Sequence, residues 1–91
     1  MENELASPDR LQKAQDLEIH IVDGQCVVFD TGADRVHYLN PTAALVLELC
    51  DGSRSIQQIA GFVQEAYALP ESPIDEVTRC LRSFRDMRIA R

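Results

Sequence analysis

Residues 39–60 read LNPTAALVLELCDGSRSIQQIA, and in that order they spell a helix start, a short apolar helix, a tight turn and a second helix start. Asn40 can accept a backbone N–H at a helix N-terminus, and Pro41 takes the first helical position, where a missing donor costs nothing. Ala43, Ala44, Leu45, Val46, Leu47 and Leu49 leave no polar side on the first helix, so it must be buried. Asp51-Gly52 breaks the chain, because glycine readily adopts the left-handed conformation that ends a helix. Ser55, with Gln58 three residues on, is a capping box that restarts it. The pattern predicts helices from Pro41 to about Cys50 and from Ile56 to about Ala68, the second carrying Ile56, Ile59, Ala60 and Val63 at helical spacing with Phe62, Ala66 and Tyr67 extending the stripe.

Upstream, the period is two. Leu17, Ile19 and Ile21 alternate with Glu18, His20 and Val22 as in a half-buried strand, and Asp23-Gly24 is a two-residue hairpin signal. A second strand, Cys26 to Asp30, follows, and the loop 31–34 leads to a third, Arg35 to Leu39, with Val36 and Tyr38 on one face. Downstream, Ser72 reads as the cap of a third helix with Pro73 at its first position and Asp75 and Glu76 in its first turn. Leu45, Leu49, Ile59, Leu81 and Phe84 are the expected common core. Residues 1–16 are polar, contain Ser7-Pro8 and show no sustained apolar period, which predicts a flexible arm ahead of one domain over residues 17–91. Three strands followed by three helices predict an α+β domain of winged helix-turn-helix-like form.

Ninety-one residues suffice for one small core. The longest apolar runs fall far short of the ~18 residues of a membrane span, and the N-terminus lacks a secretory pattern. Cys26, Cys50 and Cys80 are far apart, form no CxxC pair and lie in apolar surroundings, so they read as core thiols in a reducing compartment, with no metal. The expected location is the cytoplasm. The net charge is −6, unevenly spread, with the C-terminal residues 74–91 holding five arginines. Such acidity argues against a nucleic-acid partner.

The same stretch resembles the signature of the PqqD family, the precursor-peptide recognition elements of ribosomally made, post-translationally modified peptides. Leu39, Asn40, Ala43, Ala44, Leu49, Asp51, Gly52, Ile56 and Ile59 hold the family's positions, and Val77, Leu81 and Phe84 match its closing helix. The segment DTGADRVHYLN resembles the DTxxGxxYxLN pattern of stand-alone elements in lasso-peptide and related clusters. The resemblance implies a non-catalytic peptide chaperone without a cofactor. Such a protein takes a leader peptide as an added strand beside the third strand, in a cleft completed by the third helix. It hands the peptide to a modifying enzyme such as a radical S-adenosylmethionine protein, or to a leader peptidase, in pyrroloquinoline quinone or related biosynthesis.

The residues argue in the same direction. A three-stranded sheet has two edges, and an unpaired edge is a template for another chain. If the third strand is an edge, Arg35, Val36, His37, Tyr38 and Leu39 can pair with a peptide. On the third helix Ile74, Thr78, Leu81 and Arg85 share a stripe, with Arg82 beside it, that suits a peptide bearing apolar anchors and acidic residues. By default Leu81 belongs to the core and the arginines to a solvated face. The same strand edge could pair two copies into a homodimer. His20 and His37 lack thiolate or carboxylate partners for a metal site, and no nucleophile, phosphate loop or carboxylate pair can be assembled, so no enzymatic activity is expected. The alternative is a winged helix-turn-helix transcriptional regulator binding DNA, for which the second helix offers Gln57 and Gln58 but almost no positive charge.

Overall fold

The computed structural model describes residues 10–23 and 25–91. Strands β1 (Leu17–Val22), β2 (Gln25–Asp30) and β3 (Arg35–Leu39) precede helices α1 (Pro41–Glu48), α2 (Ile56–Ala66) and α3 (Ile74–Asp86). The sheet is antiparallel in the order β1-β2-β3, so both β1 and β3 are edges. This is the winged helix-turn-helix-like α+β architecture, with the helices gathered on one face of a small sheet.

Register follows from the pleat. Val22 pairs with Gln25 across a two-residue connection, and Asp23 takes φ 52°, the left-handed value that a type I′ hairpin needs. Cys26 and Val28 point inward with Leu39 and His37 opposite them, while Val27 and Phe29 point outward with Tyr38 and Val36 opposite. The inner residues Cys26, Val28 and Leu39 join a core built from Ala43, Val46 and Leu47 of α1, Ile59, Ala60 and Val63 of α2, and Val77, Leu81 and Phe84 of α3. Leu45 and Leu49, expected at the centre, are only partly buried against it, because an eight-residue helix has room to face the core with Ala43, Val46 and Leu47. Phe62 and Tyr67 are exposed, beyond the buried stripe of α2. Phe62 instead lies under the Arg54 guanidinium, 5.2 Å from its ring centroid.

The caps explain where helices begin and end. Ala43 N–H donates to Asn40 Oδ1 (2.8 Å), and the Ser55/Gln58 box closes in both directions (3.2 and 2.8 Å). Between them Asp51 Oδ1 accepts from the N–H and hydroxyl of Ser53, and Gly52 takes φ +88°. Those Ser53 bonds, and then Arg54, hold the Asp51 carboxyl below its ordinary value, so this turn loses support only as the pH falls through the carboxylate range. At the third helix the expected Ser72 cap does not form. The helix begins one residue later, Pro73 sits at the cap position with no side-chain bond, and Asp75 and Glu76 face the positive dipole end.

Two helices end in left-handed residues that are not glycine. Ala68 (φ 52°) follows α2, with Ala68 N–H donating to Glu65 O and Leu69 N–H to Gln64 O; Arg88 (φ 63°) follows α3, with Arg88 N–H donating to Arg85 O and Ile89 N–H to Phe84 O. Both are Schellman motifs in which the Cβ costs about 1–2 kcal/mol. Ala68→Gly relieves that strain against a larger unfolded-state entropy. The net gain should be about 0.5–1 kcal/mol, read as a rise in melting temperature of roughly 2–8 °C.

The largest departure from expectation is at the front of the chain. Leu11 is buried in the core, and residues 12–14 lie across the bottom of the fold: Lys13 N–H donates to Cys50 O (2.9 Å), Ala14 N–H to Ile89 O (2.9 Å), and Gln12 and Arg91 exchange both backbone bonds (2.7 and 2.9 Å). Residues 10–16 are thus a strap and not a loose arm, held by main-chain bonds that side-chain periodicity does not record. The rest of the predicted arm, residues 1–9, lies outside the described residues.

Candidate functional site

Because among the described residues β3 pairs only with β2, its outer edge carries backbone donors and acceptors with no described strand beside them. A groove opens at the C-terminal end of that edge. Its near side is Tyr38 and Leu39, its floor includes Ala43 and Phe84, and its far wall is Glu76, Arg79, Cys80 and Ser83 of α3 with Met87 at that helix's C-cap. The Asn40 cap with Pro41 turns the chain directly from β3 into α1, which sets Ala43 beside the end of the strand. On α3 the spacing of 76, 79/80, 83 and 87 is one helical row, adjoining the buried row Val77, Leu81 and Phe84.

The groove has an apolar floor, one carboxylate, one guanidinium and a half-buried thiol. Burial, then Glu76, raise the Cys80 pKa, with Arg79 opposing, so at neutral pH it is a neutral thiol. Cys50 is pushed up to about 12, first by burial and then by Asp51, and Cys26 is raised by burial and Glu48. All three cysteines are free. The described residues include no group of three or more His, Cys, Asp or Glu that could hold a metal. What the arrangement can do is pair an extended peptide with β3 while a side chain of that peptide drops between Ala43, Cys80, Phe84 and Met87.

Of the residues that the sequence pointed to, Arg35, Val36 and Tyr38 are exposed on β3, and Leu39 is buried at its end. His37 is half-buried on the inner face, its Nε2 shut from solvent with no hydrogen-bond partner among the described residues. It faces away from His20, which lies on the outer side of β1, so the two imidazoles do not meet. Leu81 is fully buried and belongs to the core. Ile74, Thr78 and Arg85 lie roughly half a turn around α3 from the groove row at ~100° per residue, with Arg82 between the two rows. Thr78 Oγ1 donates to Ile74 O (2.7 Å). The groove therefore gathers Tyr38 and Leu39 with Ala43, Glu76, Arg79, Cys80, Ser83 and Met87, side chains that sequence reasoning passed over. The helical period marked the Ile74, Thr78 and Arg85 flank of the buried row; the tertiary arrangement sets the opposite flank toward β3.

The helix that would read DNA is poorly equipped. Gln58 spends its Oε1 on the cap of its own helix, and Arg54 bonds Asp51 Oδ2 at 3.0 Å. No described helix is long and apolar enough to cross a membrane.

The family model described as Coenzyme PQQ synthesis protein D (PqqD) matches residues 25–89, from the first residue of β2 to just past α3. The chain belongs to the PqqD family. The match takes in both walls of the groove. A solved structure described as "Lasso peptide synthetase B1 complexed with the leader peptide" has the same fold as this PqqD-family chain, with a TM-score of 0.66 at 19% sequence identity over 90% of this chain and 98% of that one. No curated protein matches the chain.

Proposed function

We propose that this PqqD-family chain is a non-catalytic binding protein of the cytoplasm that captures the leader of a ribosomally synthesised precursor peptide by strand addition to β3 and presents it to a modifying enzyme. One observation carries the reading: an unpaired strand edge leads, at Tyr38 and Leu39, into a groove whose floor is apolar and whose far wall is a single helix. Family membership and the likeness of fold to a synthetase subunit with a leader bound support it. Main-chain pairing with Arg35–Leu39 supplies affinity, and the pocket between Ala43, Phe84 and Met87 selects an apolar anchor. The enzyme served is of the radical S-adenosylmethionine or leader-peptidase type. Two copies paired through β3 would exclude the leader, so any such homodimer is an unloaded form.

Adding the precursor peptide should slow amide exchange in Arg35–Leu39 and slow alkylation of Cys80. Arg79→Glu, on the groove wall, should weaken leader binding by roughly 5-fold through exposed, screened interactions, as read by calorimetry. The pair Arg82→Ala/Arg85→Ala tests the outer flank of α3. A loss confined to the latter pair moves the peptide to the Ile74–Arg85 flank, and protection confined to α2 sinks the assignment.

A further inference from the structure

The outer face of the sheet is the feature that leader capture leaves unexplained. An antiparallel sheet with one face on the core normally shows polar side chains on the other. Here five of the eight outward positions are Val22, Val27, Phe29, Val36 and Tyr38, the others being Glu18, His20 and Gln25. Val27 is only 8% exposed yet does not belong to the core cluster, so its cover comes from its neighbours on this face. Phe29 is held edge-on to the His20 ring (centroids 5.4 Å apart, 80°), and His20 Nε2 lies 3.5 Å from Glu18 Oε1. Together Glu18, His20, Val22, Asp23, Gln25, Val27, Phe29 and Tyr38 line a shallow hollow.

Charge selects the occupant. Among the described residues, the only formally charged side chains lining the hollow are the carboxylates of Glu18 and Asp23, and the whole chain carries −6. Two copies stacked through this face about a two-fold axis would set like charge against like. A surface with an apolar centre and a Lys/Arg rim would meet both features. Position adds a second argument: Tyr38 lines this hollow and also the groove beside β3, so the two sites are continuous through one side chain.

We infer that the outer sheet face, centred on Val22, Val27, Phe29 and Tyr38, is the docking surface for the modifying enzyme, through an apolar patch of that enzyme rimmed by basic residues. The inference rests on the leader-capture reading for the identity of the partner. Its consequence is that leader loading and enzyme docking are coupled, because a leader in the groove changes what surrounds Tyr38, and the coupling must act equally in both directions.

The test titrates the purified enzyme that modifies the leader's precursor into the full-length chain, with and without leader, at two ionic strengths. Val22→Lys/Phe29→Lys should weaken enzyme binding at least 10-fold while leader affinity stays within 2-fold. Glu18→Gln/Asp23→Asn, on exposed positions that leave the fold alone, should flatten the salt dependence of enzyme binding, and it decides the matter if the lysine pair does not fold. Unchanged enzyme affinity and salt slope in these variants, or no enzyme binding by the wild type, overturns the inference. So does sedimentation showing a wild-type dimer that the lysine pair abolishes, which would make the face a self-interface. Failure of the leader reading shows separately, as absence of leader binding by the wild type.

Discussion

Phe84→Ala should cost about 3–5 kcal/mol and leave the domain barely folded at room temperature. Phe84 is the largest of the fully buried side chains, 1% exposed, on the face of α3 that meets the core contributed by α1 and α2. Truncation would leave a cavity that rigid helices on two sides can only partly close. A domain of this size has a total stability on the order of 5–15 kcal/mol, so the loss takes a large share of it. Denaturant titration measures this directly. A midpoint shift worth less than about 1 kcal/mol would mean that the site collapses around the alanine. Because Phe84 is also the floor of the groove, leader affinity should fall even where the variant is still folded.

Leu11→Ala should cost about 2–5 kcal/mol, although the residue lies outside any regular helix or strand. Leu11 is 6% exposed, its carbonyl accepts from Gly52 N–H (3.0 Å), and the residues after it carry the bonds to Cys50, Ile89 and Arg91. Loosening Leu11 should therefore speed amide exchange at Gln12, Lys13, Ala14, Gly52 and Arg91 together. Exchange that rises at Gln12 alone would show that the strap is held residue by residue and not as a unit.

That strap shows why parts of the fold were legible in the sequence and parts were not. Asn40, Pro41, Ser55 and Gln58 act through their own side chains on their own backbone neighbours, so their roles can be read locally, and the structure has them in place. The segment LQKAQD offers one large apolar residue and is otherwise held by main-chain groups, which every sequence possesses. Ser72 has the right residue type for a cap, but the helix starts after Pro73, and boundaries of this kind shift by one residue at little cost. The groove was half legible. The alternation in Arg35–Leu39 located its strand, whereas the stripe read on the third helix was the flank opposite the groove, because helical spacing does not record how that helix crosses the sheet. In β2, the run Cys26–Phe29 lacks alternation because both of its faces are apolar, a local sign of the outer patch that attention to the core alone overlooks.

The reciprocal bonds between Gln12 and Arg91 bring the two ends of the described chain into contact at one point of the surface. The order in which the polypeptide visits its elements is therefore not dictated by their packing. A circularly permuted chain, with Arg91 linked through a few Gly/Ser residues to Arg10 and new termini opened between Ala33 and Asp34, would keep each strand pairing and the bond from Ala33 N–H to Asp30 Oδ1. In such a chain β3 becomes the first element, and anything fused ahead of Asp34 would lead directly into the edge strand, at the end opposite the groove.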